Sequence, residues 1–205
     1  MLFNSLVFFA FLTIVFILYW FFRNQLKLQN FIVLISSYVF YGWWDWRFLS
    51  LIVISSVADY FIGLWLHRAE DKHKRKLLLA ISILVNIGIL GFFKYFNFFI
   101  DSATDFINQF GFQANPTSLQ IILPVGISFY TFQTLSYSID IYRREIEPTK
   151  DMLAFFAFVS FFPQLVAGPI ERARNLIPQF LQKRTFDPVN AGDGVRQMLW
   201  GFFKK

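Results

Sequence analysis

Residues 124–179 read PVGISFYTFQTLSYSIDIYRREIEPTKDMLAFFAFVSFFPQLVAGPIERARNLIPQ. The first half sets Ser128, Tyr130, Thr131, Gln133, Thr134, Ser136, Tyr137, Ser138 and Asp140 between apolar residues. That is more hydrogen-bonding chemistry than a helix surrounded by lipid tolerates. The second half is an apolar run, 152–167, broken at Phe162-Pro163 and again at Gly168-Pro169, which turns at once into Arg172 and Arg174. The solvent around these pieces follows from the rest of the chain. It is 56% hydrophobic with 30 Phe in 205 residues, and its mean hydropathy is +0.49. Soluble domains hold about 45–50% apolar residues, so this composition reads as a membrane protein.

Working outward, five apolar runs approach the roughly 20 residues needed to cross a hydrocarbon core about 30 Å thick. They cover 2–22, 28–44, 48–66, 77–99 and 119–142. The expected fold is therefore all-α: a polytopic transmembrane helical protein forming a single domain. The first run has no basic start and its charges, Arg23 and Lys27, follow it, so it reads as a retained anchor rather than a cleaved signal. The net charge of +6 is carried by short loops, where Lys and Arg set orientation, and it does not argue for nucleic acid. Arg23 and Lys27, the loop HRAEDKHKRK (67–76), and Arg143, Arg144 and Lys150 all fall on one side if the N-terminus lies outside. Trp43, Trp44 and Trp46 then form an aromatic belt at the outer interface.

That alternation fails at 152–167. If this run crossed, Arg172, Arg174, Lys183 and Arg184 would lie outside, against the bias of every other loop. The preferred expectation is a re-entrant segment entering from the cytoplasm, with a short tilted span as the alternative. Irregular backbone survives at membrane depth only where protein or water surrounds it. Residues 171–196 read as an amphipathic stretch and loop on the membrane surface, and 197–203 begin another apolar run.

Common catalytic signatures are missing. There is no HExxH, P-loop or GxGxxG, and GISFY (126–130) is not a GxSxG elbow. With no Cys in the chain, thiol chemistry and Cys-ligated metals are excluded, and no metal site is expected. His67 and His73 read as isolated, solvated loop residues. Asp59, inside the third run, costs about 2.5–3.5 kcal/mol to insert when ionised and needs a partner. Lys94 sits about 15 Å away along the helix direction, too far for a direct pair, so another helix is expected to supply it, including one beyond Lys205. On a helical projection of 119–142, Phe132, Leu135 and Ile139 form a narrow lipid face. Thr131, Thr134 and Ser138 form a second arc, which back-bonding to the helix's own carbonyls would satisfy. Gln133, Tyr137 and Asp140 belong to the third, the candidate lining of an internal path with purely structural use as the alternative, while Arg172 and Arg174 are candidates for its cytoplasmic mouth.

LPVGISFYTFQTLSYSIDIYRR followed by FFPQLVAGPIERA, with SSYVFYGWWDWRF and SSVADYFIG upstream, resembles the first half of membrane-bound O-acyltransferases. The likeness is to the bacterial branch of alginate O-acetyltransferases and D-alanyl transfer proteins, and it covers essentially the whole chain. It implies a ring of helices around a tunnel in a bacterial inner membrane, through which an acyl group from a cytoplasmic donor reaches an envelope polysaccharide outside. It further implies acetyl-CoA or another acyl thioester as donor, no bound cofactor, and extracytoplasmic acyl-transfer partner proteins. The family's catalytic histidine lies in the second half, and neither His67 nor His73 corresponds to it. The chain is thus expected to be the N-terminal part of an acyltransferase, inactive alone. A transporter or flippase subunit is the rival reading, since intramembrane Asp and broken helices suit both.

Overall fold

The structure is a computed structural model that describes residues 3–110, 124, 126–165 and 171–204. Among these the elements are helical throughout. They are α1 (Leu6–Phe21), α2 (Leu26–Asp45), a 3-10 turn (Trp46–Phe48), α3 (Leu49–Arg68), α4 (Lys72–Gln109), α5 (Ile127–Tyr142), α6 (Met152–Val159), α7 (Phe162–Leu165), α8 (Ala173–Leu181) and α9 (Pro188–Lys204). Two continuous runs, Leu26–Arg68 and Lys72–Gln109, are long and apolar enough to cross a membrane. Large apolar side chains cover the outside, Leu84 and Phe98 on α4 and Ile17 on α1 among them. In water such a surface would aggregate; in lipid it is the solvated face. The aromatic residues of the proposed belt, Trp43, Trp44 and Trp46, are all exposed.

Helix starts are set by local capping. Ser5 Oγ accepts from the Phe8 N–H at 3.2 Å, Asp71 accepts from His73 and Lys74, and Asp151 accepts from Ala154 at 3.1 Å. Each satisfies one or two of the N–H groups a helix leaves unpaired at its first turn. Asp45 ends α2 and caps the 3-10 turn, and its hydrogen bonds from Arg47, the closest at 2.7 Å, hold its carboxyl below the ordinary carboxylate value.

Several boundaries differ from those read in the sequence. The run 77–99 is the middle of one 38-residue helix, about 57 Å long at 1.5 Å per residue. Its buried residues, Arg75, Ser82, Asn86 and Leu90, all lie in its first half. The charged loop 67–76 shrinks to three residues between α3 and α4, because Asp71 can cap a helix that begins inside it. Residues 188–196, read as part of an amphipathic stretch and loop, join 197–204 in α9, initiated by Asp187, which accepts from the Val189 N–H at 2.9 Å. The described part of the fifth run is Ile127–Tyr142; its expected beginning near 119 lies outside the described residues, as do the Gly168-Pro169 break and the end of the 152–167 run.

The core is built around α5, which packs on α3 and α4 along one side and meets α6, α7 and α8 along another. Gly126 begins it with φ +79, a backbone conformation open to glycine. The same residue lets α7 approach, since a Cβ there would strike the Leu165 carbonyl oxygen. At Gly63 of α3 the missing side chain leaves room for the Tyr137 ring, which a Cβ would meet at 2.8 Å.

Candidate functional site

Three polar constellations are buried among the helices, two of them where the sequence places its anomalies. The first surrounds Asp59, fully buried on α3. Its Oδ1 accepts from Ser82 Oγ at 2.5 Å and Ser138 Oγ at 3.1 Å, and its Oδ2 from Asn86 Nδ2 at 2.6 Å. Thr134 Oγ1 donates to Asn86 Oδ1 at 3.0 Å and so ties α5 to the cluster a second time. The partner expected from another helix, even from one beyond Lys205, is a set of neutral donors on α4 and α5. Lys94 is not among them; its ammonium lies over the Tyr95 ring. The Thr134 and Ser138 hydroxyls thus cross between helices instead of only bonding back within α5. This corrects the back-bonding expectation for their arc, and follows because α3 and α4 bring an acceptor and an amide within reach.

The second constellation went unnoticed in the sequence. Arg75, read there only as part of the basic loop 67–76, is buried on the first turns of α4. Its Nη1 donates to the carbonyls of Leu66 and Ala69 at the end of α3, and its Nη2 to those of Ile141 and Tyr142 at the end of α5, the last at 2.7 Å. The guanidinium also lies 5.5 Å from the Tyr142 ring centroid. Helix C-termini carry unpaired carbonyls and partial negative charge, so one planar cation caps two helices at once. A signal was present: Arg75, Ser82 and Asn86 recur at spacings of seven and four, one stripe whose last two members are the polar residues of the apolar stretch 77–93.

The third involves the arc proposed as lining. Gln133, Tyr137 and Asp140 are all buried, facing the broken segment rather than lipid. Gln133 Nε2 donates to the Phe158 carbonyl at 2.8 Å, so it anchors α6. The Tyr137 ring packs against Phe155 with a tilt of 48° at a centroid distance of 4.7 Å, and its hydroxyl approaches the Thr149 backbone without a well-formed hydrogen bond. Asp140 Oδ2 is buried without a partner, while Arg143, Arg172 and Arg174 lie within electrostatic reach of the carboxyl. The structure thereby brings together Asp140, Arg172 and Arg174, which the sequence assigned to two separate groups. Beside them is a cavity of about 620 Å³ lined by Lys150, Asp151, Arg174 and Ile177. Both arginines are exposed, and the cavity mouth carries the cations Lys150 and Arg174 beside the carboxylates of Glu147 and Asp151. The expected lipid face is narrower than read: Phe132 is exposed but Leu135 is buried, because α5 is enclosed on more than one side.

His67 and His73 are exposed and far in role from this opening. His67 borders a smaller cavity of about 360 Å³ with Glu70, Arg144 and Glu147, and His73 lies in the first turn of α4. Among the described residues no group of His, Asp or Glu is placed to hold a metal ion.

The whole chain aligns with curated envelope acetyltransferases. It is 40% identical over 207 residues to a probable alginate O-acetylase, AlgI, of Pseudomonas aeruginosa, covering 100% of this chain and 39% of that protein. With the probable alginate O-acetylase of Azotobacter vinelandii it shares 39% identity, covering 41% of the relative. With a peptidoglycan O-acetyltransferase of Helicobacter pylori it shares 33% over 236 residues, covering 44% of the relative. The chain therefore spans about two fifths of the length of the curated relatives it matches. No family model and no solved structure matches it.

Proposed function

This chain belongs, along its full length, to the family of membrane O-acetyltransferases that includes those of alginate and peptidoglycan, and from that premise we propose that it forms part of an enzyme moving an acetyl group from a cytoplasmic thioester to a polysaccharide outside. The observation that carries the reading is the pair of exposed guanidinium groups, Arg172 and Arg174, at the start of α8, the second of them lining the cavity of about 620 Å³. An acyl thioester such as acetyl-CoA is anionic, and exposed guanidinium groups at a cavity mouth raise its local concentration. They also offer bidentate contacts to phosphate. Gln133 and Tyr137 serve as the wall behind this mouth, holding α6 in place so that the opening keeps its shape.

The same reading places the N-terminus outside and makes 152–167 re-entrant. Contacts along the broken segment support this. The Lys150 carbonyl, before α6, accepts from Tyr60 Oη of α3, and deeper in, the Phe162 N–H donates to Ser37 Oγ of α2. After the break, Arg172 and Arg174 are again beside Asp140 near the end of α5, and the Phe180 carbonyl accepts from Asn30 at the start of α2. Both flanks thus meet the helix ends that carry the basic loops.

Transfer to a hydroxyl needs a positioned general base or relay, for which His is the usual choice. Neither histidine here reaches the opening, so residues 1–205 alone are proposed to be inactive. The test uses the full-length enzyme in membrane vesicles with labelled acetyl-CoA and a polysaccharide acceptor. Arg172→Glu combined with Arg174→Glu raises the KM for the donor about tenfold or more while kcat and membrane abundance hold. An unchanged KM overturns the assignment of the mouth. For residues 1–205, turnover that His67→Ala or His73→Ala abolishes would overturn the inactivity proposal.

A further inference from the structure

At the other end of α8 from Arg172 and Arg174 lies a second opening, a groove of about 530 Å³ between α1, α2, α7 and α8. Its floor is apolar, made by Leu12, Val15 and Phe16 of α1 with Phe161 and Leu176 opposite. Its rim is basic, formed by Lys183 and Arg184. Arg184 is held in place on several sides. Its Nε donates to the Gln179 carbonyl at 3.0 Å and its Nη2 to Asn30 Oδ1 at 2.7 Å. The guanidinium sits over the rings of Phe180 and Tyr19, at 5.2 and 5.5 Å from their centroids. Its Nη1 is shielded from solvent and makes no well-formed hydrogen bond, with the Tyr19 hydroxyl close to the guanidinium.

A basic rim above an apolar floor suits a molecule that carries both an anion and hydrocarbon. The level of the groove says how the two are arranged. Arg184 lies at the turn between α1 and α2, the end of the fold where Arg23 and Lys27 mark a membrane face, while Leu12, Val15 and Phe16 line α1 toward the membrane interior. The occupant therefore has an anion at interfacial depth joined to hydrocarbon that extends inward. We propose that this groove binds a membrane glycerophospholipid. The phosphodiester lies against the Arg184 guanidinium, Lys183 supplies a second positive charge, and an acyl chain lies along α1 over Leu12, Val15 and Phe16. The volume falls within the roughly 300–1,000 Å³ typical of sites for small molecules. This site does not depend on the acyl-transfer reading, and its test is a binding measurement.

The experiment is native mass spectrometry of the full-length, detergent-purified protein. It is titrated separately with phosphatidylglycerol, with diacylglycerol of the same chains, and with inorganic phosphate. Phosphatidylglycerol is expected to be retained, diacylglycerol at least tenfold more weakly, and inorganic phosphate not at all. Arg184→Gln lowers phosphatidylglycerol retention about tenfold or more, as loss of a charge-assisted hydrogen bond does. Because Arg184 also bonds Asn30, a second variant, Leu12→Trp, blocks the floor without touching the cation, and it too lowers retention. Equal retention of phosphatidylglycerol by wild type and Leu12→Trp overturns the proposal. So does equal retention of diacylglycerol, and so does binding of inorganic phosphate alone, which would make the site one for a free anion.

Discussion

Replacing Arg75 by Met removes the cation that caps α3 and α5 while keeping an unbranched apolar side chain on α4. Four carbonyls then lose a donor, of which those of Leu66 and Tyr142 make the closest contacts. A hydrogen bond from a charged group contributes about 1.5–3 kcal/mol net, so two of them give about 3–6 kcal/mol. Water reaching the helix ends recovers some of this, and the expected cost is about 3–5 kcal/mol, the range for breaking a buried charged network. At about 2–4 °C per kcal/mol for a chain of 150–250 residues, thermal unfolding in detergent should shift down by about 6–20 °C. Arg75→Lys keeps the charge but loses the planar fork, which alone reaches the ends of both helices, so about half the loss is expected. Lys74→Ala, one residue away but exposed, should stay within about 0.5 kcal/mol of wild type. If Arg75→Met and Lys74→Ala shift the midpoint equally, Arg75 is the solvated loop cation that its sequence context suggests, and the capping account fails.

The other predictions concern the same core. Asp59→Leu leaves Ser82, Asn86 and Ser138 without their acceptor and should cost about 3–5 kcal/mol by thermal unfolding. Asp59→Asn retains one acceptor oxygen and should cost about 1–3 kcal/mol; equal effects would show that charge rather than hydrogen bonding holds the cluster. Gly126→Ala meets both a left-handed backbone and the Leu165 carbonyl, so it should destabilise by more than about 1 kcal/mol and loosen α7. Increased proteolysis near 160–170 would register that loosening, and unchanged cleavage would argue against the contact. Cys introduced at Lys150 and at Lys183 should react with an impermeant thiol reagent from the same membrane face; labelling from opposite faces would establish that 152–167 crosses.

The sequence by itself determined the solvent and the burdens. Its apolar content and run lengths made an all-helical membrane protein the expectation, because hydrocarbon forces every backbone polar group to pair within a helix. It marked Asp59 as needing a partner, 152–167 as broken, and α5 as too polar to face lipid. Those are local facts, legible from a residue and its immediate neighbours. What the sequence did not decide is who satisfies whom. Asp59 finds its donors 23, 27 and 79 residues away, and Gln133 finds its acceptor 25 residues away across a loop. Arg75 looked like its neighbours in a basic loop until the ends of α3 and α5 converged on it. Asp140 joined Arg172 and Arg174 only when α8 folded back against α5. A hydrogen bond is directional and short-ranged, so its partner is fixed by which helices become neighbours and in what rotation, and only the tertiary packing sets these.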